Sequence, residues 1–140
     1  MTSAGGVPQA RIVLDERFDA ATLHLLRRQV AACTADEGVP DDRAVDVALA
    51  LHELAANAVV HGAGSGRLVM YATDASLCCL VSDAGPGIQP WPLRQGHGLW
   101  IVHKAADEVT TSSGPGGSQV TAVFGWPAKP GRGRDVPRAT

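Results

Sequence analysis

The chain has 140 residues, 45% hydrophobic and 19% charged, a balance that excludes disorder throughout and fits one domain with a core of ordinary size. The net charge of −2 hides an asymmetry: residues 128–140 carry Lys129, Arg132, Arg134 and Arg138 against Asp135 alone, leaving 8 of the 12 cations and 13 of the 14 acids in the body. An acidic body followed by a short basic tail rich in Gly and Pro argues against nucleic acid as a partner.

Both ends, residues 1–10 and 127–140, have turn-former compositions without apolar periodicity and are expected to be loose, with one domain between them at 11–126. No uninterrupted run of 18 apolar residues occurs and the first ten residues lack the blocks of a secretion signal, so no membrane segment and a cytoplasmic location are expected. A chain of this length is expected to hold no second sensor or dimerisation domain. Cys33, Cys78 and Cys79 are read as reduced core residues, since neighbours on a strand point to opposite faces.

In chain order, residues 11–14 predict a strand. Residues 20 to about 37 predict a helix, with Leu23, Leu26, Val30 and Cys33 at helical spacing and Gly38 as its stop. A second helix opens at Pro40-Asp41-Asp42, runs to about His61 and ends in a flexible glycine turn, Gly62 to Gly66. Residues 67–73 and 77–82 predict a hairpin. A glycine-rich loop from Asp83, an aperiodic stretch at 88–95, a third helix at 98–107 and a closing hairpin of 108–112 with 119–126 follow. Helices grouped before and between hairpins predict an α+β two-layer sandwich: a mixed, mostly antiparallel sheet with helices on one face.

The second helix carries a narrow polar line. Between Ala44 and Val60 only Asp46, His52, Glu53 and Asn57 are polar. At about 100° per residue, Asp46, Glu53 and Asn57 fall within about 40° of each other, His61 lies about 40° further round, and His52 points elsewhere. Such a line suits the wet face of an amphipathic helix, or the wall of a cavity where Glu53 acts as a general base and the Asn57 oxygen as a neutral ligand for a hard cation. His52-Glu53 also suggests a zinc hydrolase, but that motif needs a histidine at position 56, which is Ala56.

Two glycine loops follow. Asp83-Ala84-Gly85-Pro86-Gly87 sets an acid at a strand end before two glycines. It reads as a plain turn or as a close backbone approach to a ligand, with the carboxylate accepting a hydrogen bond from an exocyclic amine. Gly96-His97-Gly98-Leu99 opens the third helix and reads either as a phosphate site, made by free N–H groups and the helix dipole, or as a loop whose glycines serve only as a flexible helix start. P-loop, dinucleotide-fold and protein-kinase signatures are absent.

Together, Glu53-x-x-x-Asn57, Asp83-x-Gly85-x-Gly87 and Gly96-x-Gly98 resemble, in order and context, the three boxes of the GHKL (Bergerat) ATPase superfamily, and Gly117-Ser118 resembles its closing Gly-Thr element. The phrases HELAANAVVHG, VSDAGPGI and GHGLWIVHKAADEV look most like the bacterial anti-sigma-factor serine/threonine kinases, over about residues 15–126. The resemblance implies ATP and Mg²⁺ as cofactors, Glu53 as general base, Asn57 on Mg²⁺ and Asp83 on the adenine amino group. It also implies that Gly85 and Gly87 shape the adenine pocket, that Gly96 and Gly98, with His97 and Leu99 beside them, face the phosphates, and that Ser118 stands where the family usually has Thr. His61 approaches a phosphate or only complements the helix dipole. Arg94, the one cation in the short expected lid of residues 88–95, is a candidate for the γ-phosphate.

The implied partners are a sigma factor and an anti-anti-sigma (STAS) protein that receives the phosphoryl group. The Arg27-Arg28 pair on the first helix is read either as a contact for the former or as a plain wet face, and a homodimer is an open expectation. The alternative function is an ATP-responsive binding module or anti-sigma factor that transfers nothing.

Overall fold

The structure is a computed structural model in which residues 10–84 and 98–127 are described, the side chains of residues 98 and 99 excepted. The elements are β1 (Arg11–Asp19), a short 3-10 turn (Ala20–Thr22), α1 (Leu23–Asp36), α2 (Asp41–His61), β2 (Ser65–Ala72), β3 (Ser76–Asp83), α3 (Gly98–Ala105), β4 (Glu108–Gly114) and β5 (Gly117–Gly125). The strands form one sheet in the order β1-β2-β3-β5-β4. Where the sequence allowed a mixed sheet, all four pairings among the described residues are antiparallel. The helices pack on one face, so the architecture is the expected α+β two-layer sandwich.

Alternation along the strands explains the layering. Leu68, Met70 and Ala72 on β2 pair across to Val81, Cys79 and Leu77 on β3, and these in turn to Val120, Ala122 and Phe124 on β5. All nine are buried and join one core with Leu26 and Val30 of α1, Val47, Leu51 and Leu54 of α2, and Val102 of α3. Burial of each large apolar side chain contributes about 1.5–3 kcal/mol. Cys33 and Cys79 lie in this core, where burial pushes both thiols up from the ordinary range, Cys79 furthest. Cys78 is a correction: strand alternation turns it to the opposite face, where it is half-buried.

β1 extends to Asp19, five residues past the expected strand, because its whole length pairs with β2. A register irregularity between Ile12 and Leu14 is absorbed there. Asp19 then ends the strand as a cap: its carboxylate accepts from the Thr22 amide at 3.1 Å while the Thr22 hydroxyl accepts from the Asp19 amide at 2.9 Å. Gly38, with φ of +72°, stops α1 as expected.

The 21-residue α2 is long and apolar enough, by length and composition, to cross a membrane. In this fold it is the central core helix, with Val47, Ala50, Leu51, Leu54, Ala55 and Ala58 buried.

Candidate functional site

The polar line of α2 divides into two parts. Near the start of the helix Arg43, whose side chain is only 17% exposed, gathers the carboxylate of Asp46 at 2.6 Å and that of Asp107 at 3.1 Å into ion pairs. Its Nε donates to the Gly125 carbonyl at 2.9 Å and its Nη1 to the Ala105 carbonyl at 3.1 Å, with the Phe124 ring 5.6 Å away. This guanidinium ties the start of α2 to the ends of α3 and β5. Asp46 is thereby engaged in a structural contact.

Two turns further on, Glu53 and Asn57 are half-buried on one face of α2. Among the described residues neither side chain takes a hydrogen bond or an ion pair. Neither side chain has its polar atoms sealed in the core, so both are open to solvent and to an outside ligand. His61 closes the helix and is exposed. His52 is half-buried with its Nδ1 enclosed and without a hydrogen bond among the described residues.

Asp83 ends β3 on the same layer, because Val81, two residues earlier, belongs to the helix-facing set. Its pairing partner is the buried Ser118 at the start of β5, whose Oγ donates to Asp83 Oδ2 at 3.4 Å. Gly62, directly after α2, explains the other side of the carboxylate. A Cβ at Gly62 would stand 2.6 Å from Asp83 Oδ1, so only a hydrogen at this position lets the end of α2 approach the acid. Gly117 plays the same part toward the backbone: its φ is +129° and a Cβ there would lie 2.1 Å from the Asp83 carbonyl oxygen.

The fold brings the end of α2, at Gly62, against Asp83 and pairs Asp83 with Ser118 on the neighbouring strand, while Glu53 and Asn57 stand earlier on α2. The composition of the group fits a purine nucleotide, with an acid to accept from an amine, a hydroxyl beside it, and an amide oxygen with an unengaged carboxylate for a cation and a proton. Gly98 is the first residue of α3, as expected for a helix opened by that glycine. The expectations for Gly85, Gly87, Arg94, Gly96 and His97 fall outside the described residues, and so does the side chain of Leu99.

Gly62 was missed as a site residue by sequence reasoning, which took it for the first of several flexible turn glycines. The only signal was its place one residue after a polar line. Arg43 was not singled out, since the carbonyls that aim it lie 62 and 82 residues away.

Comparison with known proteins agrees with this fold. Among solved structures, the chain is similar to the RsbU and RsbW domains of Rv1364c from Mycobacterium tuberculosis, with a TM-score of 0.60 and 16% identity over 79% of this chain and 31% of that one. It is also similar to the histidine kinase domain of the blue-light activated histidine kinase of Erythrobacter litoralis EL346, with a TM-score of 0.55 and 21% identity over 75% of this chain and 59% of that one. The chain thus spans about a third and under two thirds of these two structures, and the likeness is one of fold. No curated protein matches the sequence. The family described as "Histidine kinase-like ATPase domain" matches residues 17–124, a stretch that holds Glu53, Asn57, Asp83 and Ser118. With that stretch covering most of the chain and the fold agreeing, this protein belongs to the histidine kinase-like ATPase domain family.

Proposed function

We propose that this chain is an ATP-binding regulator of the anti-sigma-factor type, with Mg²⁺-dependent serine/threonine kinase activity on an anti-anti-sigma (STAS) partner, acting in the cytoplasm on transcription. One ATP-binding domain at residues 11–126 carries this activity. The observation that bears the proposal is the pair Glu53 and Asn57, half-buried on one face of α2 and without partners among the described residues, on the helix whose end at Gly62 makes room for the Asp83 that Ser118 engages. Family membership supports ATP as the ligand. The motif phrases and the likeness to a chain carrying an RsbW domain support the regulatory class.

Bound Mg²⁺ and ATP supply the transferable phosphoryl group and the cation that offsets its charge. Asp83 accepts a hydrogen bond from the adenine amino group, and the Ser118 hydroxyl holds the carboxylate in that orientation. Asn57 presents its amide oxygen toward the cation. Glu53 takes the proton from the incoming hydroxyl of the partner, so catalysis rests on positioning and on a base one helical turn from the cation ligand. Gly96 and Gly98, with His97 and Leu99, offer backbone N–H groups to phosphate at the start of α3, where His61 and Arg94 are further candidates. Gly85 and Gly87 let the backbone approach the base. Arg27 and Arg28 are exposed on α1 and offer one contact for a sigma factor.

Calorimetric titration with ATP, with and without Mg²⁺, on the wild type and on Asp83→Asn tests the site. Saturable Mg²⁺-dependent binding that the variant loses is the expected result. A folded wild type that binds no ATP overturns it. Glu53→Ala is then expected to bind ATP and to transfer no phosphoryl group to a STAS partner. If wild type and variant both bind ATP and neither transfers it, the chain is an ATP-responsive binding module.

A further inference from the structure

The face of the sheet turned away from the helices carries a second group of polar side chains. Arg17, Arg67, Ser82, Gln119 and Ser112 stand in one row across all five strands, since the registers pair each with the next. At the glycine-rich end of the sheet this row borders a cavity of about 460 Å³, a volume in the range that holds small-molecule ligands.

The charges in the row are arranged for an anion. Arg17 and Arg67 face each other directly across β1 and β2, and like charges so placed repel. Asp15 forks onto one of them, with Nε and Nη2 of Arg67 donating to its two carboxylate oxygens at 2.8 and 2.7 Å, and reaches Arg17 by charge alone. That fork leaves the Nη1 hydrogens of Arg67 over. Arg17 makes no ion pair or hydrogen bond among the described residues. The remaining members of the row, Ser82, Gln119 and Ser112, are neutral hydroxyl and amide groups. Among the described residues the one carboxylate bordering the cavity, Asp83, is engaged by Ser118 and lies beside Gly62 at the end of α2.

We propose that this trough binds a small phosphate monoester, its phosphate between the guanidinium groups of Arg17 and Arg67 and its polar body against Ser82, Gln119 and Ser112. Planar guanidinium groups match phosphate oxygens in geometry as well as charge, and a hydroxyl-lined wall suits a hydroxylated ester. By strand alternation Ser82 and Gln119 share the outer face of the sheet with Arg17 and Arg67, and Asp83 and Ser118 of the proposed nucleotide site stand at the rim of the same trough. The proposal does not depend on nucleotide binding.

The test is a titration of the ¹⁵N-labelled full chain with inorganic phosphate and, separately, with glycerol 3-phosphate, followed by amide and arginine Nε–H shifts. Saturable shifts centred on Arg17, Arg67 and Gln119 are expected, with the ester binding more tightly than phosphate alone. Arg17→Gln, an exposed substitution whose folding is checked by its unperturbed spectrum elsewhere, is expected to weaken binding about fivefold or more. The proposal is overturned by shifts centred on α2 and α3 instead, by an Arg17→Gln affinity equal to wild type, or by no saturation up to about 20 mM ligand.

Discussion

The two halves of α2 share one polar line and have opposite fates. In the first half, Asp46 is drawn into the Arg43 cluster with Asp107 and the carbonyls of Ala105 and Gly125. In the second, Glu53 and Asn57 stand half-buried with no partner among the described residues. A polar residue on a mostly apolar helix is thus either a structural staple or left open to solvent and ligand, and what separates the two is whether another side chain brings it a partner.

The largest expected effect comes from removing the staple. Arg43→Ala leaves two carbonyls and two carboxylates without their common donor, and is expected to lower the unfolding free energy by about 3 kcal/mol in urea titration. Nucleotide affinity of the folded fraction is expected to stay within about twofold of wild type. A loss under 1 kcal/mol would place Arg43 outside the load path of the fold.

Gly62→Ala sharpens the other half. An alanine methyl there meets the Asp83 carboxylate at 2.6 Å and the Ala58 carbonyl oxygen at 2.7 Å. The expected cost is about 1–2 kcal/mol, with at least tenfold weaker ATP binding by calorimetry. Gly64→Ala is the contrast. With φ of +91° and open space around it, its cost of about 1 kcal/mol is conformational, and ATP affinity should be unchanged.

Asn57→Ala is expected to change stability by no more than about 0.5 kcal/mol, because no described contact is lost, while abolishing Mg²⁺-dependent ATP affinity. A destabilisation as large as that of Arg43→Ala would show that the two halves of α2 do not differ in kind.

The smallest effect belongs to an exposed pair. Arg67, by hydrogen bond first and by charge as well, holds the Asp15 carboxyl below its usual range. A carboxyl lowered on folding adds stability above its unfolded pKa of about 3.9, and that stability is lost as pH falls through the lower folded value. Arg67→Gln is expected to flatten the acid limb of the pH–stability curve slightly, and an unchanged limb would show that solvent screens the pair completely.

Much of this protein is legible along the chain. The period of α2, the stop at Gly38 and the two hairpins are local facts, written in apolar spacing and in glycine. Boundaries drifted where pairing overrides composition: β1 runs on through Asp15, Glu16 and Arg17 because β2 lies alongside it. Of the site, Glu53, Asn57, Asp83 and Ser118 were visible as residue types in order.

The sequence alone determined the layer architecture and the chemistry available to the site, because both follow from which residues recur at 3.6 or 2.0 spacing and which polar types interrupt them. Only the tertiary structure decided which of those polar groups are engaged. Arg43 claims Asp46 from a helical turn away but is itself aimed by Ala105 and Gly125, Gly62 yields its side-chain space to Asp83, and Arg17 meets Arg67 across 50 residues of chain. Such contacts depend on close approach between elements remote in sequence, and no local pattern encodes that distance.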